Sequence, residues 1–279
     1  MVAIGGRART RLRLCGSVLA AALLVPGCTG DGAGDDGAAG GNGTGSASPS
    51  PPDAAGGGGP SPGPSGRDFV PDPDRVPKTR EEALRFAREV VAEPESWGAG
   101  YVRSSPYKSG PRRTSVLGED CVWKQRALPS SEFVSVVRRS ELPAEDGKGT
   151  LRVTAVVTVH RDTASAEWKM ARILEEPLRC PDQQLDATER ITGLRSGGDP
   201  FQGRRDVGDD FLQETGRVHG GPPGGPHPYV WAVTRIGSVT VGAAVKGSEG
   251  HDVAAVQTVG ARGTANMSAT AELLLEERK

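Results

Sequence analysis

The sequence is poor in aromatic residues, poor in cysteine and without any excess of positive charge, and each shortage closes a class of function. Aromatics make up 4% of the chain. Trp97, Trp123, Trp168 and Trp231 are therefore read as the large pieces of a core in preference to a sugar-stacking platform. Lys and Arg number 34 against 35 Asp and Glu, a balance that argues against nucleic acid, which needs a basic footprint, and against a polybasic membrane patch. No internal repeat and no His-Glu-x-x-His is found. No catalytic constellation is legible, so no enzyme, no catalytic residue and no cofactor is assigned; a triad of dispersed residues would be visible only as geometry.

Candidate metal ligands are equally thin. His160, His219, His227 and His251 lie far apart or flank a Gly/Pro run, without the third and fourth ligands zinc requires, and are expected at the surface. Asp206, Asp209 and Asp210 form the densest acidic cluster. They lack the alternating ligands and distal glutamate of a calcium loop and are read as a solvated loop whose carboxylates Arg204 and Arg205 compete for. No metal site is assigned.

What is present is organised around Leu23-Leu24-Val25-Pro26-Gly27-Cys28. Before it come Arg7, Arg9, Arg11 and Arg13 with no acid, then an apolar run over residues 14–25. This is the pattern of a secretory signal, too short to span a bilayer, which takes about 20 apolar residues. Val25-Pro26-Gly27-Cys28 resembles the lipobox of bacterial lipoproteins, and the resemblance implies acylation at Cys28 after removal of residues 1–27. The competing reading is an ordinary secretory signal cleaved nearby. Removal of residues 1–27 takes four arginines and leaves a formal charge of −5.

Residues 28–76 form a Gly/Ser/Pro/Ala/Asp-rich linker, too poor in apolar surface to offset its ordering entropy. As a flexible coil of ~48 residues it would extend roughly 35–40 Å, enough to lift a domain clear of the headgroups. Of the four cysteines, Cys15 lies in the signal and Cys28 is the lipid acceptor. Cys121 and Cys180 are left, in an oxidising compartment most simply one disulfide; two buried free thiols are the alternative.

Residues 77–279 read as one domain. The capping box Thr79–Glu82 opens a helix with Ala83, Leu84, Ala87, Val90 and Val91 at helical spacing, stopped by Pro94. Strands are expected over Glu119–Gln125, with Cys121 and Trp123 on one face, over Phe133–Arg138, and over the alternating stretch Leu151–His160, whose polar face would meet water. Asp162 or Thr163 caps a second helix with Ala164, Trp168, Ala171 and Leu174 on its buried face, which would make Trp123 and Trp168 core neighbours. Further strands are expected over Phe211–Val218, Tyr229–Arg235 and Ser238–Lys246, the last two joined as a hairpin at Ile236-Gly237. A long helix with Val253, Val256, Gly260, Gly263, Met267, Thr270 and Leu274 at spacings of three and four closes the chain. The class is α+β: a twisted antiparallel sheet with helices packed on one face.

Cys121-Val122-Trp123, the helix with Ala164, Trp168 and Ala171 leading to Cys180, and Arg235-Ile236-Gly237-Ser238-Val239-Thr240-Val241 in a late hairpin resemble the PknH-like extracellular sensor domain. That family occurs on actinobacterial receptor Ser/Thr kinases and as free-standing lipoproteins, typically with two disulfides and a cleft for an unidentified ligand. This chain has cysteines for one disulfide and no kinase domain. The resemblance implies a lipid-anchored binding or sensor module on the extracytoplasmic face of the cell membrane, attached through its N-terminal lipid. Its cleft would be edged by the loops of residues 193–228. The alternative is an envelope protein-interaction or assembly factor with no small ligand.

Overall fold

The computed structural model describes residues 69–197, 208–221 and 224–276. Eight strands form one sheet in which every adjacent pair is antiparallel, and three helices pack against it. The α+β class read from the alternating patterns is the one found.

Helix α1 (Arg80–Val90) starts where the sequence places it. The Thr79 hydroxyl accepts from the Glu82 N–H, and the Glu82 carboxylate accepts from the Thr79 N–H at 3.0 Å. Pro94 opens a short 3-10 turn, Pro94–Trp97. Strands β1 (Val102–Lys108), β4 (Glu132–Leu142) and β5 (Leu151–His160) follow, with a separate hairpin of β2 (Arg113–Leu117) and β3 (Trp123–Ala127) between the first two. Helix α2 (Thr163–Arg179) is capped by the Asp162 carboxylate, which accepts from the Ser165 N–H at 2.7 Å. It carries the chain from β5, in the middle of the sheet, to the far edge at β6 (Gln183–Gln184). From there β7 (Glu189–Ser196), β8 (Asp210–Gly220), β9 (His227–Ile236) and β10 (Val239–Lys246) walk back strand by strand until β10 pairs with β5. Helix α3 (Val253–Leu275) ends the fold.

Strand side chains alternate between faces, and the register uses both. Val153, Ala155, Val157 and Val159 of β5 join Val241, Ala243 and Val245 of β10 under α1 and α3. Each large apolar side chain buried there contributes about 1.5–3 kcal/mol. Close approach of α3 depends on Gly263, where a Cβ would stand 2.0 Å from Cζ3 of the buried Trp97.

Helix α2 lies on the opposite face, where Met170 and Ile173 pack with Leu212, Trp231 and Val233. Two of the three helices thus share one face, and the third covers the side of β5 expected to meet water. The buried residues of α2 are Ala166, Met170, Ile173, Glu176 and Pro177. The stripe expected inside is outside: Trp168 is 70% exposed and Leu174 43%. Both stripes have helical spacing, and periodicity alone does not choose between them. Trp168 is accordingly not a core neighbour of Trp123.

Two boundaries also differ. Described residues before Pro77 belong to the fold: Phe69 and Val76 pack on the core, and the Asp72 N–H donates to the Leu275 carbonyl at 2.9 Å. Cys121 lies in the tight turn between β2 and β3, with φ +57°, and not within a strand. Strand β1, polar and largely exposed at the sheet edge, and strand β7 were not legible as strands.

Candidate functional site

The face that α2 covers only in part holds a cavity of about 170 Å³. Its floor is the sheet, one wall is α2, and the other is the β2–β3 hairpin. The floor is low for a compositional reason. On β10 the residues facing this side are Thr240, Gly242 and Ala244, set between Val156 and Thr158 of β5 and Tyr229, Trp231 and Val233 of β9. Trp231 pairs opposite Ala244 and lays its ring diagonally over Gly242, where a Cβ would be 2.4 Å from Cη2. The glycine makes room for the indole, and the indole paves the cavity.

The hairpin wall is fixed at one end. A disulfide joins Cys121 in its turn to Cys180 at the C-cap of α2, with Cα atoms 5.6 Å apart. Beside it Nε1 of Trp123 donates to Oε1 of Gln183 at 2.8 Å, and Nε2 of Gln183 donates to the Cys180 carbonyl at 3.1 Å. The Gln184 N–H donates to the Cys121 carbonyl at 2.9 Å. These bonds set the Trp123 indole in the cavity wall opposite the floor.

Two carboxyls face the space, Glu214 from β8 and Glu176 from α2. Glu214 is 4% exposed, and its Oε1 has no hydrogen-bond partner. Burial first, and Glu176 second, push its carboxyl up to about 8. Burial also raises Glu176, against the pull of Lys169, Arg172 and Arg179. The hydroxyl of Tyr229 is pushed up by desolvation and by both carboxyls. The pair therefore holds a proton at neutral pH, and groups coupled this closely titrate together. A carboxyl so placed can keep its proton or release it to solvent.

At the far end of the same face the Ser135 and Thr158 hydroxyls meet at 3.0 Å, and Nε2 of His160 lies 3.1 Å from Oγ1 of Thr240. His160, expected at the surface, is buried because α2 covers the polar side of β5. Burial, aided by Lys169, depresses it to about 4. Glu132 nearby is likewise buried and raised by desolvation, with Lys169 and Arg172 opposing.

Searches against protein-family models and against curated proteins find no match. The site is therefore read from its own geometry.

Of the residues singled out from sequence, Cys121 and Cys180 come together as the disulfide, and Cys28 lies outside the described residues. His219 bonds Oγ1 of Thr192 at 2.7 Å, and Nε2 of His251 meets the Gly149 carbonyl at 2.9 Å. Among the described residues no three or more His, Cys, Asp or Glu gather as a metal would need, and no helix is long and apolar enough to cross a membrane. Asp206 lies outside the described residues. Asp209 and Asp210 are exposed, as expected, but not free: both accept from the buried Arg235, at 2.9 and 2.5 Å, and Asp209 also accepts from the Gly237 N–H.

Two short strings match catalytic spacings. Gly59-x-Ser61-x-Gly63 lies outside the described residues, and Ser105-x-x-Lys108 is exposed on β1 and is not among the cavity residues. The stretch 193–228 contributes Glu214 to the cavity; residues 198–207, 222 and 223 of its loops lie outside the described residues. Sequence reasoning missed Glu214, Glu176 and Trp231 as a set. The signal available was Thr240-x-Gly242-x-Ala244, a small residue at every second position of a strand whose other side is large and apolar.

Proposed function

We propose that the chain is a lipid-anchored extracytoplasmic binding or sensor module of the cell envelope, and that the cavity between α2, the sheet and the β2–β3 hairpin receives a small ligand. The observation that carries this reading is a void of about 170 Å³ lined by polar and apolar side chains of α2, the sheet and the hairpin, among them the buried Glu214. An apolar cavity of about 150 Å³ accepts benzene, so the space suits a molecule of roughly six to ten non-hydrogen atoms. The disulfide fits an oxidising compartment. The lipobox-like Val25-Pro26-Gly27-Cys28 and the resemblance to PknH-like sensor domains supply the anchor and the sensing role.

A thermal-shift screen of the purified protein tests the binding half. A ligand at a hundred times its dissociation constant adds about 2.7 kcal/mol, which for a domain of this size raises the melting temperature by roughly 5–10 °C. A shift of that order from one chemical class is expected, and none from any class contradicts the reading. Globomycin, which blocks lipoprotein signal peptidase, tests the anchor. An uncleaved precursor should accumulate, and normal processing in its presence contradicts lipidation at Cys28.

A second reading, an envelope protein-interaction factor with no small ligand, has one observation in its favour. Trp168, Leu174 and Leu178 are 70%, 43% and 78% exposed along the outer face of α2. Crosslinking followed by repeated recovery of a stoichiometric membrane partner, with no shift in the screen, would select it.

A further inference from the structure

We propose that the groove between the start of α1 and the turn entering β2 binds a phosphate group, held by Arg80, Arg112 and Arg113. The groove stands apart from the cavity under α2, and its role does not depend on what fills that cavity.

The lining decides the sign of the ligand. Three of the seven residues around a concavity of about 600 Å³ are the arginines Arg80, Arg112 and Arg113, and the other four are glycine, proline, alanine and leucine. No acid is among them. All three arginines are exposed. The ion pairs of the described residues engage other arginines, among them Arg75, Arg85, Arg103, Arg138 and Arg152, and none of these three. In a chain whose acids slightly outnumber its bases, 35 to 34, an acid-free concavity of arginines differs from the average surface. Like charges held close together repel, and an anion between them removes that cost.

The backbone fixes the arginines in place. The Arg113 N–H donates to the Gly110 carbonyl at 3.3 Å and closes the turn. The Ser135 N–H donates to the Pro111 carbonyl at 3.1 Å, and the Leu128 N–H donates to the Arg112 carbonyl at 3.1 Å, which ties the turn to β4 on one side and to the end of β3 on the other. Nη2 of Arg113 donates to the Gln125 carbonyl at 2.9 Å, leaving its other donors to the groove. Arg80 is the first residue of α1, set by the capping box. The positive end of that helix adds charge of the same sign.

Geometry then chooses among anions. Each guanidinium is a planar fork of donors that matches a pair of oxygens. A carboxylate offers one pair and one charge, enough for one fork. A phosphate ester offers three oxygens and a charge of about −1.5 to −2, enough for all three. Ala127 and Leu128 provide an apolar wall for the carbon group the phosphate carries. A soluble phosphate ester and the headgroup of an anionic phospholipid both present this chemistry, and the test separates them.

The protein is purified with Cys28→Ser, so that no N-terminal acyl chain drives vesicle binding. One arm is isothermal titration with glycerol 1-phosphate and with acetate, at about 20 and about 200 mM NaCl. The other is co-sedimentation with phosphatidylcholine vesicles, with and without phosphatidylglycerol. The ester should bind about tenfold or more tighter than acetate at low salt, and several-fold more weakly at high salt, because exposed charges are screened. Arg80→Gln with Arg112→Gln should weaken phosphate binding about tenfold or more while melting within about 2 °C of the parent, since both side chains are exposed. Arg172→Gln with Arg190→Gln removes the same charge outside the groove and should change binding less than about twofold. Ester binding without vesicle binding assigns a soluble phosphate compound; vesicle binding that the groove variant abolishes and the control variant keeps assigns the headgroup. Absence of both ester and vesicle binding at low salt, acetate binding as tight as the ester, or equal weakening by the two double variants overturns the site.

Discussion

Replacing Cys121 and Cys180 together by serine should lower stability by about 3–4 kcal/mol, because the bond closes a loop with a sequence separation of 59 and its loss restores that freedom to the unfolded chain. For a domain of this size the melting temperature should fall by roughly 6–15 °C. The damage should be local as well as global. The bond holds the β2–β3 hairpin to the end of α2, and without it the hairpin keeps only hydrogen bonds there, among them Trp123–Gln183, Gln184–Cys121 and Arg179–Gly118. The hairpin is a wall of the cavity, so ligand binding should weaken more than stability requires. Cys121 adopts φ +57°, a conformation that costs a side-chain-bearing residue about 1 kcal/mol and glycine little. Cys121→Gly with Cys180→Ser should therefore lose about 1 kcal/mol less than the double serine variant. Calorimetry of the three proteins checks both statements. A fall of under 2 °C in the double serine variant would show that the hydrogen bonds suffice.

Glu214→Gln should stabilise the protein at pH 7 and do almost nothing at pH 4. The unfolded chain gives up this proton near its ordinary value of 4.5, whereas the folded protein keeps it to about 8. Folding thus takes up a proton across that window, and stability falls as pH rises through it. At pH 7 the loss is on the order of 3 kcal/mol, or roughly 6–12 °C, and glutamine, which stays neutral, escapes it. His160 acts with the opposite sign. The unfolded chain accepts its proton near 6.5 and the folded protein resists to about 4, so its contribution is lost on acidification between those values. The two slopes offset one another from about pH 4.5 to 6.5. Relative to the variant, the parent protein should therefore lose stability steadily from about pH 4.5 to about 8. Thermal melts of both proteins from pH 4 to 8 read this directly. Parallel curves would mean that Glu214 is ionised and paired when the cavity is empty.

The sequence carried the skeleton of the fold in places where one physical rule dominated. Thr79–Glu82 announced α1 because a capping box satisfies two free donors at once. Leu151–His160 announced β5 because five alternate positions are apolar, and the hairpin of β9 and β10 followed from the same alternation. Where two rules competed, the reading failed. Helix α2 carries two apolar stripes, and the one containing Trp168 faces outward. The inner stripe includes Glu176, which a rule that keeps carboxylates out of the interior assigns to solvent. The same exchange hid the site: the polar side of β5 reads as solvated until α2 is placed over it, and then His160, Thr158 and the carboxyl pair become interior. Strand β1 is polar and lies at the sheet edge, so it has no buried face to set a pattern. The disulfide was legible because only two cysteines remained once the others had been assigned. Cys121 in a left-handed turn was not, because that conformation is imposed by the hairpin it closes.

The central claim is that the void between α2, the hairpin and the sheet is where a ligand sits. Ala244→Leu tests it most directly, since Ala244 lines the floor beside Trp231 and a leucine there fills space and breaks no hydrogen bond. The measurement is the thermal shift given by the most effective compound of the ligand screen, taken on the parent protein and on this variant. The account predicts a variant that melts within a few degrees of the parent and whose shift is lost. A variant that folds as well as the parent and keeps the full shift would place the ligand elsewhere and contradict the account.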